Sequence, residues 1–226
     1  ELSTLSIFVL LFNKGKIMKK RIFFTFLLFL CVVSLKPAHA QIEPDSIPCP
    51  NGYLEGMLSP VLKVISTDPY CAVKIHYCVM VSGAEDGIYI KAIEFDGDCS
   101  GDRFACDDQG NISLDWGAIV RWILNDPFAF PVEDPPNCND PENPPLKIVR
   151  LYHGGCYQID HYMDPNTLRD VRIVTPCFPE LVVYCKRDWE VCYEIIDGKF
   201  TPRAYPVGNT TPNFDCSTSG CYPLCD

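Results

Sequence analysis

Tyr70-Cys71-Ala72-Val73-Lys74-Ile75-His76-Tyr77-Cys78-Val79-Met80-Val81 is the stretch on which the fold turns. Cys71, Val73, Ile75, Tyr77, Val79 and Val81 recur at every second position, with Lys74 and His76 between them. Successive side chains of an extended chain point to opposite faces, so this alternation predicts a half-buried strand. Gly83 and Asp86-Gly87 supply turn signals, and residues 88–95 (Ile-Tyr-Ile-Lys-Ala-Ile-Glu-Phe) resume a strand, so the pair is expected to form an antiparallel hairpin. Positions seven apart in a straight strand face opposite sides, and Cys71 and Cys78 should therefore take different partners.

Toward the C-terminus, Ile119, Val120, Ile123 and Leu124 recur at helical spacing. A helix is expected between Ser113, as its cap, and Asn125, with Asp126-Pro127 ending it. Residues 126–145 hold seven prolines among Asp, Asn and Glu, which excludes regular structure and predicts a linker or a long surface loop stapled down by Cys138. It separates an N-terminal β part (41–125) from a C-terminal β meander and Cys-rich tail (146–226), as two halves or as an excursion from one domain. Strands are expected at 146–152, 156–160, 170–175, 181–185 and 189–195, with Lys186-Arg187-Asp188 joining the last two. Another follows the Asp197-Gly198 turn at 200–205. The tail, Cys216-x4-Cys221-x3-Cys225, is too short and polar to order itself without bridges. The architecture expected is mainly β, antiparallel and sandwich-like, stapled by disulfides, with one short helix.

Toward the N-terminus, Met18-Lys19-Lys20-Arg21 precedes an apolar run from Ile22 to Leu35, then Pro37-Ala38-His39-Ala40. A basic start, a short apolar stretch and an Ala-x-Ala site are the layout of a secretory signal peptide over 18–40, with cleavage expected after Ala40. The run is shorter than a membrane span, and Cys31 follows Leu28-Phe29-Leu30, which lacks the small residue of a lipid-attachment site. Residues 1–17 are expected to be translated upstream sequence, because Lys14-Gly15-Lys16 would be encoded by a purine-rich stretch resembling a bacterial ribosome-binding site.

The mature segment from Gln41 has 186 residues, enough for a real core. Removing the six basic and one acidic residues of positions 1–40 from totals of 19 and 29 leaves 13 against 28, a net charge of −15. Nucleic acid and anionic membrane both require a basic face, so neither is an expected partner. Thirteen cysteines remain, an odd number. In an exported chain they are expected to pair as disulfides, leaving one thiol free or joined to a partner chain in a disulfide-linked dimer.

The run from Cys71 through Cys99, with its strand–turn–strand, and the later series Cys156, Cys177, Cys185, Cys192 resemble uncharacterised cysteine-rich secreted proteins of Bacteroidota-type Gram-negative bacteria. The signal peptide is similar to theirs. The resemblance implies a secreted, extracellular, cell-surface or periplasmic protein, and no activity travels with it.

Candidate chemistry is sparse. His153-x2-Cys156-x4-His161 is the best zinc arrangement but lacks a paired Cys-x2-Cys knuckle. A Cys156–His153 nucleophile would need Cys156 reduced, and no Gly-x-Ser-x-Gly elbow accompanies His153-Gly154-Gly155. The one dense cluster of donors runs from Asp96 to Asp107. Asp96, Asp98, Ser100 and Asp102 stand at positions 1, 3, 5 and 7 of a calcium loop, with Gly101 at 6 and Asp107 at 12. The competing reading is an acidic solvated loop closed by a local Cys99–Cys106 bridge. The leading functional class is a non-enzymatic extracellular module for structure, adhesion or binding, with a protein or glycan partner. The alternative is a secreted hydrolase of extracellular polymer using paired carboxylates.

Overall fold

Alternating apolar residues in the Tyr70–Phe95 region build the centre of a ten-stranded, mostly antiparallel sheet. A computed structural model describes residues 43–80, 86–101, 103–107, 109–126, 137–139, 147–178, 183–212, 216 and 220–225. The upstream segment, the signal peptide with Cys31, Gln41, the 82–85 turn, Asp102 and most of the Pro-rich stretch lie outside these residues.

In chain order the elements are a 3-10 turn (Pro44–Ser46), β1 (Tyr53–Glu55), β2 (Val61–Thr67), β3 (Tyr70–Met80), β4 (Asp86–Gly97), β5 (Phe104–Cys106), β6 (Ile112–Leu114) and α1 (Trp116–Ile123). Then come β7 (Lys147–Gly154), β8 (Cys156–Met163), β9 (Asp170–Pro176), β10 (Tyr184–Ile196), β11 (Lys199–Pro212) and β12 (Tyr222–Pro223). β5 and β6 pair as a separate two-stranded ribbon.

β4 is the strand on which the sheet divides. One edge pairs antiparallel with β3; the other pairs parallel with β7 through Asp86–Ile90, then antiparallel with β9 through Ile93–Asp96. Two arms result, β7-β10-β11 and β9-β8-β12. Ile90 faces Tyr77 and Ala92 faces His76, so β4 carries one extra residue, Lys91, where the arms part. Such a bulge shifts side-chain parity by one. Ile88 and Ile90 before it and Ile93 and Phe95 after it therefore reach the same core face as Val73, Ile75, Tyr77 and Val79. Strands from both sides of the Pro-rich stretch thus share one sheet, joined through β4.

α1 covers this core face with Trp116, Ile119, Val120 and Ile123. Trp116 stacks on the ring of His153 at 4.0 Å between centroids. The helix is shorter than expected. Its cap is Asp115, whose Oδ1 accepts from Ala118 N at 2.8 Å, while Ser113 pairs with Ala105 in the β5–β6 ribbon. Lys186-Arg187-Asp188 is likewise no connection between strands. The ladder with β7 runs unbroken through it, and only a bulge against β11 marks the place.

Six disulfides join Cys49–Cys78, Cys71–Cys99, Cys138–Cys192, Cys156–Cys216, Cys177–Cys221 and Cys185–Cys225. Cys71 and Cys78 take different partners, and every tail cysteine is bridged. The expected Cys99–Cys106 bridge does not form: Cys99, anchored at the end of β4, meets Cys71 on the neighbouring strand, and Cys106 is the thirteenth thiol. Cys106 is 3% exposed, which corrects the expectation of a disulfide-linked dimer through the odd cysteine, since a buried thiol is not presented to another chain. No helix among the described residues is long and apolar enough to cross a membrane.

Candidate functional site

The outer face of β3 and β4, opposite α1, carries Lys74 and His76 from β3 and Glu94 from β4, because these residues have the parity the core rejects. His76 and Glu94 are nevertheless buried. His76 Nε2 donates to Glu94 Oε1 at 2.5 Å, and Lys74 Nζ donates to Glu94 Oε2 at 2.7 Å. Burial works against the charge on Glu94, but the hydrogen bonds from His76 and Lys74 and their positive charges outweigh it and hold the carboxyl below the usual range. Asp45, in the 3-10 turn, places Oδ1 3.2 Å from His76 Nδ1. That contact lacks hydrogen-bond alignment. Lys91, 2% exposed, extends the cluster: its Nζ donates to Glu55 Oε2 at 2.7 Å and to the Ile47 carbonyl at 3.3 Å. A buried ammonium requires such partners. Its signal in the sequence was the broken alternation Ile88-x-Ile90-x-x-Ile93-x-Phe95, which places one extra residue between two strand segments of equal phase.

A second grouping lines an open cleft formed by Tyr70, Gly97, Asp98, Arg169, Asp170 and Arg172. Arg169 donates through Nε and Nη2 to the two oxygens of Asp96, at 2.7 and 2.8 Å, and lies 4.0 Å from the centre of the Tyr70 ring. Arg172 reaches Asp170 at 2.8 Å. Gly97 has φ +92°, and a Cβ there would run into the Tyr70 carbonyl oxygen, so this close approach of β3 and β4 requires glycine.

The residues of the expected calcium loop are placed as follows. Asp96 gives both oxygens to Arg169. Asp98 is exposed at the cleft rim, and Ser100 forms an isolated bridge with Ala105. Asp107 accepts from the amides of Gln109 and Asn111 at 2.9 Å and from Asn111 Nδ2 at 2.7 Å, bonds that hold its carboxyl below the ordinary range. Asp102 lies outside the described residues. The first and twelfth positions are thus engaged by protein donors.

Other sequence candidates are parted by the fold. Cys156 is oxidised to Cys216, His153 is buried with Nδ1 on the Gly154 carbonyl at 3.1 Å, and His161 is exposed. Neither the zinc arrangement nor the Cys–His nucleophile survives this. Among the described residues, the grouping of thiol, carboxylate or imidazole atoms near enough for a metal is Cys49, Glu55 and Cys78, and its two sulfurs are bonded to each other. Comparison with protein-family models, with curated proteins and with solved structures returns no match.

Proposed function

We propose that the chain is a secreted or cell-surface binding module without chemistry of its own, which takes a protein partner along its Tyr53–Thr67 edge. The observation that carries this reading is the apolar dressing of that edge. β1 and β2 follow one another along one side of β3, and neither has a further strand beyond it among the described residues. Leu54, Met57, Leu58, Leu62, Val64 and Ile65 all stand exposed there, Leu62 at 55% and Val64 at 53%. Sheet edges are normally blunted with charge, and Lys63 is the sole charged residue in Val61–Thr67. An edge of this kind suits strand addition, in which main-chain hydrogen bonds give affinity and alternate side chains give specificity. A contiguous exposed apolar patch on a protein is commonly an interaction site.

The six disulfides require an oxidising compartment for folding, in keeping with the signal peptide expected at 18–40. The hydrolase alternative needs convergent carboxylates in a pocket, whereas the open cleft described above is lined by two carboxylates, Asp98 exposed at its rim and Asp170 held by Arg172. The test is a photoreactive benzoylphenylalanine replacing Leu62 in the source cells, with the same group at exposed Asn125 as control. A discrete protein adduct is expected from position 62, absent from position 125 and lost on adding Val64→Lys. Equal adducts from both positions, none from either, or release of new chain ends from extracellular polymers by the purified protein would overturn the proposal.

A further inference from the structure

We infer that the open cleft where β3 begins, β4 ends and β9 starts is a binding site for a neutral saccharide. Its described lining, Tyr70, Gly97, Asp98, Arg169, Asp170 and Arg172, surrounds a volume of about 400 Å³. That volume falls within the range of about 300–1,000 Å³ that small-molecule pockets occupy. None of these residues belongs to β1 or β2, so the cleft is a second site and does not rest on the edge proposed above.

The polar groups of the cleft are fixed in place by their neighbours. Arg169 donates through Nε and Nη2 to the two oxygens of Asp96, at 2.7 and 2.8 Å, with its guanidinium 4.0 Å from the centre of the Tyr70 ring. A guanidinium carries five N–H donors in a rigid fork, so these two bonds leave others for a ligand, and the side chain is 35% exposed. Donors already held by a carboxylate and a ring lose little freedom on binding, which is how a preorganised site gains affinity. Arg172 reaches Oδ2 of Asp170 at 2.8 Å, and a carboxylate so engaged retains acceptor capacity. Asp98 adds an exposed carboxylate at the rim.

The charges select the class of ligand. Asp96, Asp98 and Asp170 outnumber Arg169 and Arg172, and Asp107 lies within electrostatic reach of Arg172, so the cleft repels a carboxylated or phosphorylated ligand. An ammonium ion would confront the two guanidiniums. A hydroxyl group both donates and accepts. Adjacent hydroxyls of a pyranose ring can therefore accept from Arg169 while donating to Asp98 or Asp170, which matches donors and acceptors set side by side.

Amide NMR spectra of the purified mature protein, titrated in EDTA with the methyl glycosides of glucose, galactose, mannose and xylose, test the site. At least one glycoside is expected to shift the Gly97, Asp98 and Asp170 amides saturably, with a Kd on the order of 1 mM. Asp98→Ala leaves the Arg169–Asp96 and Arg172–Asp170 pairs in place and is expected to weaken binding about tenfold, the loss of one hydrogen bond to a charged group. Val64→Lys, on the β2 edge, is expected to leave binding unchanged, which separates this site from the protein-binding edge. No saturable shift with any of the four, shifts centred elsewhere, undiminished affinity in Asp98→Ala, a requirement for calcium, or tighter binding of glucuronate or spermidine would each overturn the inference.

Discussion

Two histidines of this chain occupy opposite surroundings. His76 is enclosed by carboxylates; His153 lies between Trp116 and Tyr157 with no charged partner, and burial pushes its pKa down to about 4. The unfolded chain binds this proton near pH 6.5, the native chain only near 4, so the unfolded state holds more protons in between. The contribution of His153 to stability is present in full above about pH 6.5 and is lost as pH falls through 4, a loss of about 3 kcal/mol. A His153→Phe variant keeps the stack on Trp116 and should remove that part of the acid sensitivity. Urea unfolding of both proteins at pH 7 and pH 4.5 measures it, and equal slopes with pH in the two would refute the assignment. None of this was legible in His153-Gly154-Gly155-Cys156, where a histidine near a thiol suggested chemistry. Cys156 is bridged to a cysteine sixty positions away, and spacing does not reveal such a partner.

Among elements, the end of α1 is tied to the sheet by a buried carboxylate, besides the Leu124 carbonyl, which accepts from Tyr193 Oη of β10 at 3.1 Å. Asp126, fully buried, accepts from Tyr77 Oη at 2.5 Å and from Leu58 N at 2.9 Å, linking the helix end to β3 and to the turn before β2. Burial first, and then Asp126, raise the Tyr77 hydroxyl well above its ordinary pKa, so it remains a donor at every working pH. Asp126→Ala leaves one buried and one partly buried donor without their acceptor and should cost about 3 kcal/mol; Tyr77→Phe, which removes one donor, should cost about 1 kcal/mol. Chemical denaturation that ranked the two variants in the reverse order would show that the link is unimportant. In the sequence Asp126-Pro127 was read as the stop of a helix reaching Asn125; the helix ends at Ile123, Pro127 lies outside the described residues, and the role of Asp126 as an anchor was not read. The β3–β4 hairpin was legible because strict alternation has no helical interpretation. β2 was not, because Val61-Leu62-Lys63-Val64-Ile65 places apolar residues on both faces of an edge strand, and β1, β5 and β6 are too short to show a period.

For the whole molecule, composition carried furthest. Thirteen cysteines in an acidic chain of β pattern led to a disulfide-stapled, mainly antiparallel fold, and six bridges and one buried thiol bear this out. Alkylation without reductant should label no cysteine in the native mature protein and only Cys106 after denaturation; two or more labels in the native state would contradict the bridging. The division of the sheet at Lys91 had no counterpart in an expectation built strand by strand, because it depends on which distant strands meet the second edge of β4. The order of the bridges has its own consequence. Cys49 passes over Cys71 to reach Cys78, Cys71 passes over Cys78 to reach Cys99, and the bonds to Cys216, Cys221 and Cys225 interleave in the same way. Not one native bond joins cysteines that are consecutive along the chain. A polypeptide that closed its bridges strictly in chain order would therefore close every one of them wrongly, so native pairing requires either that distant cysteines meet in the fold before they oxidise or that early pairings be exchanged.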